Sequence, residues 1–263
     1  MSPAVAARRL LVTRPRAQAV DWVQRLAALG VGAEALPLID IAPADDEASR
    51  AALQAAWKRA PSLAFVMFVS ANAVEGWFGA CPPDQRWPER LKAGATGPGT
   101  AAALRAAGLR EEQIVQPAAD APTLDAEALW ARLVDWPWAG REVLVVRGED
   151  GRDWLSTQWR QAGAQVDFVA AYRRRPPRWS AQEQALADAA LARPEAVAWL
   201  FSSSEALAHL GACRPGADWS RSVALATHPR IAAAAQARGF GEVRTVDPLP
   251  DAVAAALCAL PPR

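Results

Sequence analysis

The chain writes one alternating strand-and-helix pattern twice, and that duplication limits its fold more than any other feature of its 263 residues. Three landmarks set the repeat. Arg14 recurs as Arg147 and Ser70 as Ser203, each 133 residues on, while Pro98 recurs as Pro229 after 131. Whole blocks follow the landmarks: Phe68-Val69-Ser70-Ala71-Asn72-Ala73-Val74 matches Phe201-Ser202-Ser203-Ser204-Glu205-Ala206-Leu207. A unit of about 130 residues that recurs in order is one folding pattern used twice.

The pattern inside each copy is α/β. Leu10–Thr13 is a short apolar run, and Val20, Val23, Leu26 and Leu29 then recur at helical spacing until Gly30 stops the helix. A further extended run covers Ala33–Leu36. Residues 143–172 repeat the order, with strand Val143–Val146, helix Asp153–Ala162, stop Gly163 and an extended run Gln165–Tyr172. Strands alternating with helices at this spacing form parallel sheets covered on both faces. Two arrangements of the copies are open on pattern alone: tandem, breaking near Asp135-Trp136-Pro137-Trp138, or interleaved. The extended tails Leu38–Ala42 and Ala170–Arg175, each leading to a proline, suit an interleaved chain whose two crossings pair as strands.

Composition removes several function classes. A hydrophobic share of 52% supports a real core, and a formal net charge of +1 gives no general attraction to nucleic acid or a membrane. Cys81, Cys213 and Cys258 lie far apart without any CxxC pair, which suits free thiols and a cytoplasmic protein. No signal-peptide apolar core is expected in Met1–Arg9, and the apolar run Leu63–Val69 is too short to span a bilayer. With only His209 and His228 there is no metal-ligand spacing. Gly97-Pro98-Gly99-Thr100-Ala101-Ala102 imitates a dinucleotide fingerprint. Proline occupies its turn, however, and no acid closes the strand Ile114-Val115-Gln116; Asp120 lies beyond Pro117.

In parallel α/β sheets ligands bind where strands end and helices begin. Those loops carry Thr13 and Arg14; Ser70, Ala71 and Asn72; Gly97 and Thr100; Arg147 and Gly148; Ser202, Ser203 and Ser204; Thr227 and His228. Small residues, hydroxyls and free amides there make anion seats as well as helix caps. Tyr172, the only tyrosine, stands on the second extended run ahead of Arg173-Arg174-Arg175, a placement that offers a proton and a positive field.

Taken together the residues resemble the uroporphyrinogen-III synthase family. The resemblance runs through Leu11-Val12-Thr13-Arg14-Pro15, Gly30 to Ile41, Phe68 to Val74, Gly97-Pro98-Gly99-Thr100 leading to Gly108, Val143 to Glu149, Gly151-Arg152 and Val169 to Arg173. It implies two Rossmann-like or flavodoxin-like parallel-sheet domains joined by a two-stranded β-ladder linker. The expected bounds are 1–37 plus 177–263 for domain one, 44–167 for domain two, and 38–43 with 168–176 for the linker strands. It also implies a monomeric enzyme needing no cofactor, whose substrate is hydroxymethylbilane, a linear tetrapyrrole handed over by hydroxymethylbilane synthase. Loss of water and inversion of the terminal ring through a spiro intermediate would give uroporphyrinogen III.

By the same resemblance Tyr172 matches the tyrosine considered as acid, Thr100 lines the cleft, and Ser70, Asn72, Ser203 and Ser204 seat carboxylates. Where the family usually has Gly-Pro and threonines, this chain has His228-Pro229-Arg230-Ile231, so His228 or Arg230 would stand in. The competing reading is a non-enzymatic two-domain binder of an anionic small molecule.

Overall fold

A computed structural model describes residues 8–118, 121, 123, 125–149 and 154–261. The expectations that touch Met1–Ala7, Asp120, Gly151, Arg152 and Asp153 lie outside the described residues. By its internal contacts the chain divides into two compact units, one of Met1–Asp40 with Arg175–Arg263, the other of Ile41–Arg174.

The first unit holds a five-stranded sheet in the order β11-β10-β9-β1-β2. Its strands are β1 (Arg9–Val12), β2 (Ala33–Ala35), β9 (Val197–Phe201), β10 (Val223–Ala226) and β11 (Glu242–Thr245), and every neighbouring pair is parallel. Helices α1 (Arg16–Ala28), α7 (Ala181–Ala192), α8 (Ser204–Cys213), α9 (Pro229–Ala237) and α10 (Pro250–Cys258) complete it. The second unit holds a six-stranded sheet, β3-β8-β7-β4-β5-β6. It comprises β3 (Asp40–Pro43), β4 (Phe65–Phe68), β5 (Lys92–Ala95), β6 (Ile114–Val115), β7 (Glu142–Gly148) and β8 (Gln165–Arg175). Its helices are α2 (Glu47–Arg59), α3 (Ala71–Gly79), α4 (Pro98–Ala106), α5 (Ala126–Trp130) and α6 (Trp154–Gln161).

The duplication is written in the sheets. Replacing β1, β2, β9, β10 and β11 by their repeat partners β7, β8, β4, β5 and β6 turns one strand order into the other, with β3 added outside β8. The chain visits the strands in a different order in each unit, because the first unit is assembled from both ends of the sequence. Residues 168–172, expected as linker, pair with β7 as part of the sheet, since the β8 register runs from Gln165 to Tyr172. A strand as apolar as Val143–Val146 is satisfied only as an interior strand with a backbone partner on each side.

The stop at Gly30 holds, with φ +75° in the left-handed region, and Gly163 does the same for α6 at φ +88°. The buried face of α1 differs from expectation. Ala19, Trp22 and Leu26 are buried, while Val20 and Leu29 are 46% and 44% exposed. The small Ala19 one turn before it leaves room for the large Trp22 in the core position, and the stripe rotates to follow it.

That principle accounts for the tryptophans buried in the cores. Helices whose inward faces carry alanine, such as Ala73, Ala101, Ala187 and Ala235, leave volume that indoles fill. Trp57 stacks on Trp77 at 4.7 Å, Trp136 on Trp138 at 5.6 Å, and Trp219 on Phe240 at 5.2 Å. At the points where the chain leaves and re-enters the first unit, the Trp179 indole N–H donates to the Pro37 carbonyl at 2.8 Å, and His209 Nδ1 meets the Leu38 carbonyl at 2.7 Å.

Candidate active site

In the second unit β7, β4 and β5 lie side by side in register, with Val146 and Ala95 both opposite Phe68. The strand ends, with Arg147-Gly148 still inside β7 rather than in the expected loop and Val69-Ser70 and Thr96-Gly97 just past β4 and β5, therefore stand in a row about 5 Å apart. From β4 the chain builds β5 and β6 on one side and later β7 and β8 on the other. Ligands of open α/β sheets enter at such a reversal, here at the carboxyl ends of β4 and β7.

Helices α3 and α4 begin in this row. Ser70 caps α3, its Oγ accepting the Ala73 amide at 3.3 Å. Gly97 begins α4 without any side-chain cap, and Pro98 sits at the first helical position. The amides of Ala71, Asn72 and Gly99 have no backbone acceptor among the described residues, so an anion arriving here meets free N–H groups at two positive helix ends. Thr100 is buried in the first turn of α4.

Tyr172 stands at the same reversal. After an irregularity in register it lies opposite Gly148, it is 4% exposed, and its hydroxyl is 3.3 Å from Ser70 Oγ. Two glycines make room for it. A Cβ on Gly148 would meet the Tyr172 ring at 3.0 Å, and one on Gly76 of α3 would press into the backbone of Ala171. Tyr172 and Asn72 line one side of a cavity of about 610 Å³ within this unit, whose other polar lining groups include Arg50, Gln54 and Glu75.

The arginines of the region are largely committed. Arg173 bridges Asp46 at the start of α2 and Glu149 after β7, each at 2.7 Å. Hydrogen bonds from Ser49, with Arg173 alongside, hold the Asp46 carboxyl below the usual carboxylate range. Arg173 thus ties the β7 turn to α2, which removes it from the free positive field expected of the arginine run. Arg147 lies over the Phe168 ring at 4.2 Å.

The first unit has an equivalent row, since β1, β9 and β10 end together with Val12 opposite Leu200 and Phe201 opposite Ala226. Two of its expected anion seats serve the fold. Thr13 is 1% exposed, and both its hydroxyl, at 2.6 Å, and its amide, at 3.3 Å, donate to the Leu200 carbonyl. The Arg14 guanidinium lies 4.3 Å over Trp22, well along α1 from that helix's first residue. Burial pushes its pKa down, with Arg25 adding to the effect and Asp21 opposing it.

Two further residues of the row cap helices. Ser203 Oγ accepts the Glu205 amide at 3.2 Å, and His228 Nδ1 accepts the Arg230 amide at 3.1 Å. A neutral His228 bonded in this way carries its proton on Nε2. Ser202 and Thr227 are half-buried at their strand ends. The Ser204 hydroxyl oxygen is covered and has no partner among the described residues.

Over residues 20–250 the sequence matches the family model described as Uroporphyrinogen-III synthase HemD. The chain belongs to the uroporphyrinogen-III synthase family. The fold agrees with solved structures carrying that name. Uroporphyrinogen-III synthetase from Helicobacter pylori superposes with a TM-score of 0.61 at 14% identity, over 96% of this chain and 100% of that one. A mutant uroporphyrinogen III synthase from the extremely thermophilic bacterium Thermus thermophilus gives 0.52 at 17% identity, over 95% and 97%.

For a uroporphyrinogen-III synthase, a cyclising lyase of porphyrin and heme biosynthesis, the elements brought together in one unit are Tyr172, Ser70, Asn72, Gly148 and the starts of α3 and α4. Sequence reasoning missed Gly76 and the cavity residues Arg50, Gln54 and Glu75. A glycine between Glu75 and Trp77 inside a helix was the available signal for the first. The cavity residues come from two helices and carried no signal. Among the described residues no helix is long and apolar enough to cross a membrane.

Proposed function

We propose that this chain converts hydroxymethylbilane to uroporphyrinogen III and that Tyr172 supplies the proton for loss of the hydroxyl group. The observation that carries this reading is the position of Tyr172, the sole tyrosine, at the strand reversal beside the start of α3 and a cavity. The Tyr172 O–H protonates the departing hydroxyl, the C–O bond breaks, and water leaves an electrophilic azafulvenium cation and a phenolate. The terminal pyrrole attacks through its substituted carbon to give the spiro intermediate. That intermediate reopens and closes with the ring inverted, and the proton lost on rearomatisation returns to the phenolate. One substrate becomes one macrocycle and one water.

A flexible polycarboxylate needs chiefly to be held in one geometry. The free amides of Ala71, Asn72 and Gly99 are suited to its carboxylates, with the Asn72 side chain and Thr100 beside them. Ser203, Ser204, Thr227 and His228 are proposed as seats of the same kind on the first unit. We extend the reading to a monomeric cytoplasmic enzyme supplied directly by hydroxymethylbilane synthase. Its cysteines are free thiols, and an open-chain substrate that closes spontaneously benefits from hand-over.

The test is to feed freshly made hydroxymethylbilane and separate the porphyrin isomers after oxidation. Isomer III is expected. A product that stays the spontaneous isomer I would refute the activity and leave the anion-binder reading. Tyr172→Phe should slow turnover with the fold intact, and an unchanged rate removes Tyr172 as the acid.

A further inference from the structure

We infer that Ser70 is a positioning residue for Tyr172, holding the phenol and stabilising the phenolate that forms when it gives up its proton. This rests on the reading of Tyr172 as the acid and adds the group that makes it competent. The Ser70 hydroxyl is the partner the structure gives Tyr172, at 3.3 Å.

The structure gives Ser70 as the donor in that bond, and its protons and lone pairs allow it. A serine hydroxyl has one hydrogen and two lone pairs. One lone pair of Ser70 takes the Ala73 amide. If the serine hydrogen is given to the Tyr172 oxygen, the phenol's own hydrogen stays free for a leaving group in the adjoining cavity. Once Tyr172 has lost its proton, only the serine can donate, so the bond survives the step and becomes charge-assisted. Donation from the Ala73 amide to Ser70 polarises the hydroxyl and strengthens the bond further.

The helix adds to the effect. Ser70 is the N-cap of α3, a helix of 9 residues, so the Tyr172 oxygen lies beside the positive end of its dipole. The approach is enforced from behind, because α3 crosses the backbone of Ala171 closely at Gly76, while Gly148 leaves the Tyr172 ring room that a Cβ would crowd at 3.0 Å. Ser70 is thereby occupied twice, and its contribution to seating a substrate carboxylate is secondary to its bond with Tyr172.

The experiment is a double-mutant cycle on turnover to isomer III, run across pH, with thermal midpoints recorded for each protein. Glycine caps helices almost as well as serine, so Ser70→Gly removes the hydroxyl with little loss of helix. We expect Ser70→Gly to lower kcat by about tenfold or more, the range of a lost hydrogen bond to a charged group, with KM little changed. Ser70→Thr should restore most of the rate. Ser70→Asp, which caps well but sets a negative charge against the phenolate, should be slower than Ser70→Gly. In Tyr172→Phe, Ser70→Gly should add nothing.

Full kcat in Ser70→Gly beside a slow Tyr172→Phe would overturn the role of Ser70 and leave Tyr172 as the acid. A raised KM at unchanged kcat would make Ser70 a carboxylate seat instead. An equal loss in the Tyr172→Phe background would show that Ser70 acts independently of Tyr172. If Tyr172→Phe turns over normally, both readings fall.

Discussion

Helix α3 carries two glycines three residues apart that should respond to alanine in opposite directions. Intrinsic propensity favours alanine at both by up to about 1 kcal/mol. At Gly79 nothing lies within 4 Å of the added methyl, so Gly79→Ala should stabilise by a few tenths to about 1 kcal/mol. At Gly76 the methyl would sit 2.9 Å from the Ala171 carbonyl carbon and closer still to its oxygen. Carbon atoms prefer about 3.5–4.0 Å, so α3 must lift from β8 by at least about 0.6 Å. Both neighbours are backbone in regular structure, and no rotamer change relieves the contact.

Overpacking of this kind costs about 1–3 kcal/mol or more. Gly76→Ala should therefore be net destabilising by about 2 kcal/mol, the steric term exceeding the propensity gain. The assay is urea unfolding followed by tryptophan fluorescence, since Trp77 of α3 stacks on Trp57 in the core. With a urea slope of about 2 kcal/mol per molar, the two variants should differ in midpoint by about 1 M. Gly76→Ala as stable as the parent would refute the close approach of α3 to β8, and with it the enforced spacing of Ser70 and Tyr172.

Other outcomes follow from single contacts. Thr13→Val should cost about 1 kcal/mol in unfolding free energy through loss of the hydroxyl bond to Leu200, with KM unchanged; a raised KM would return Thr13 to the substrate site. Burial alone would raise the Glu183 carboxyl, but bonds from the Ser180 amide and hydroxyl and from Arg16 outweigh it and hold its pKa below the usual 4.5. Its stabilising contribution is then present above pH 4.5 and lost as pH falls through the depressed value. Glu183→Gln should flatten that part of the stability–pH curve, and an unchanged slope would remove Glu183 as a source of acid sensitivity. Burial raises the Cys81 and Cys213 thiols, whereas Cys258 is exposed. A thiol reagent at neutral pH should label Cys258 first, as read by peptide mass.

Much of the fold was legible because its signals are local. The stops at Gly30 and Gly163 and the caps Ser70, Ser203 and His228 each depend on a few neighbouring residues, and the repeat shows as short blocks that match. The long-range contacts were not legible. Thr13 looks like an anion seat until Leu200, 187 residues away in sequence, claims its hydroxyl. Arg14 looks like a carboxylate clamp until Trp22 turns inward and gives it a ring to cover. Tyr172 was visible as the sole tyrosine at a strand end, but its bond to Ser70 spans 102 residues and appears only when β8, β7 and β4 stand side by side. Alanine-rich helices hid their own inward faces, because alanine marks neither side of a helix.

The bond from Trp179 to Pro37 joins the two places where the first unit is interrupted by the middle of the chain. On the other side of the cut, β3 and the end of β8 are neighbours in one sheet. Each module therefore has its loose ends already adjacent, as an inserted cassette and its host must. A short glycine bridge from Leu38 to Arg178 would leave a five-stranded host whose strands all keep their partners. Residues 40–175 hold the second sheet entire, with β3 at its edge and β8 next to it. Within this single polypeptide each half keeps a hydrophobic core made of its own residues.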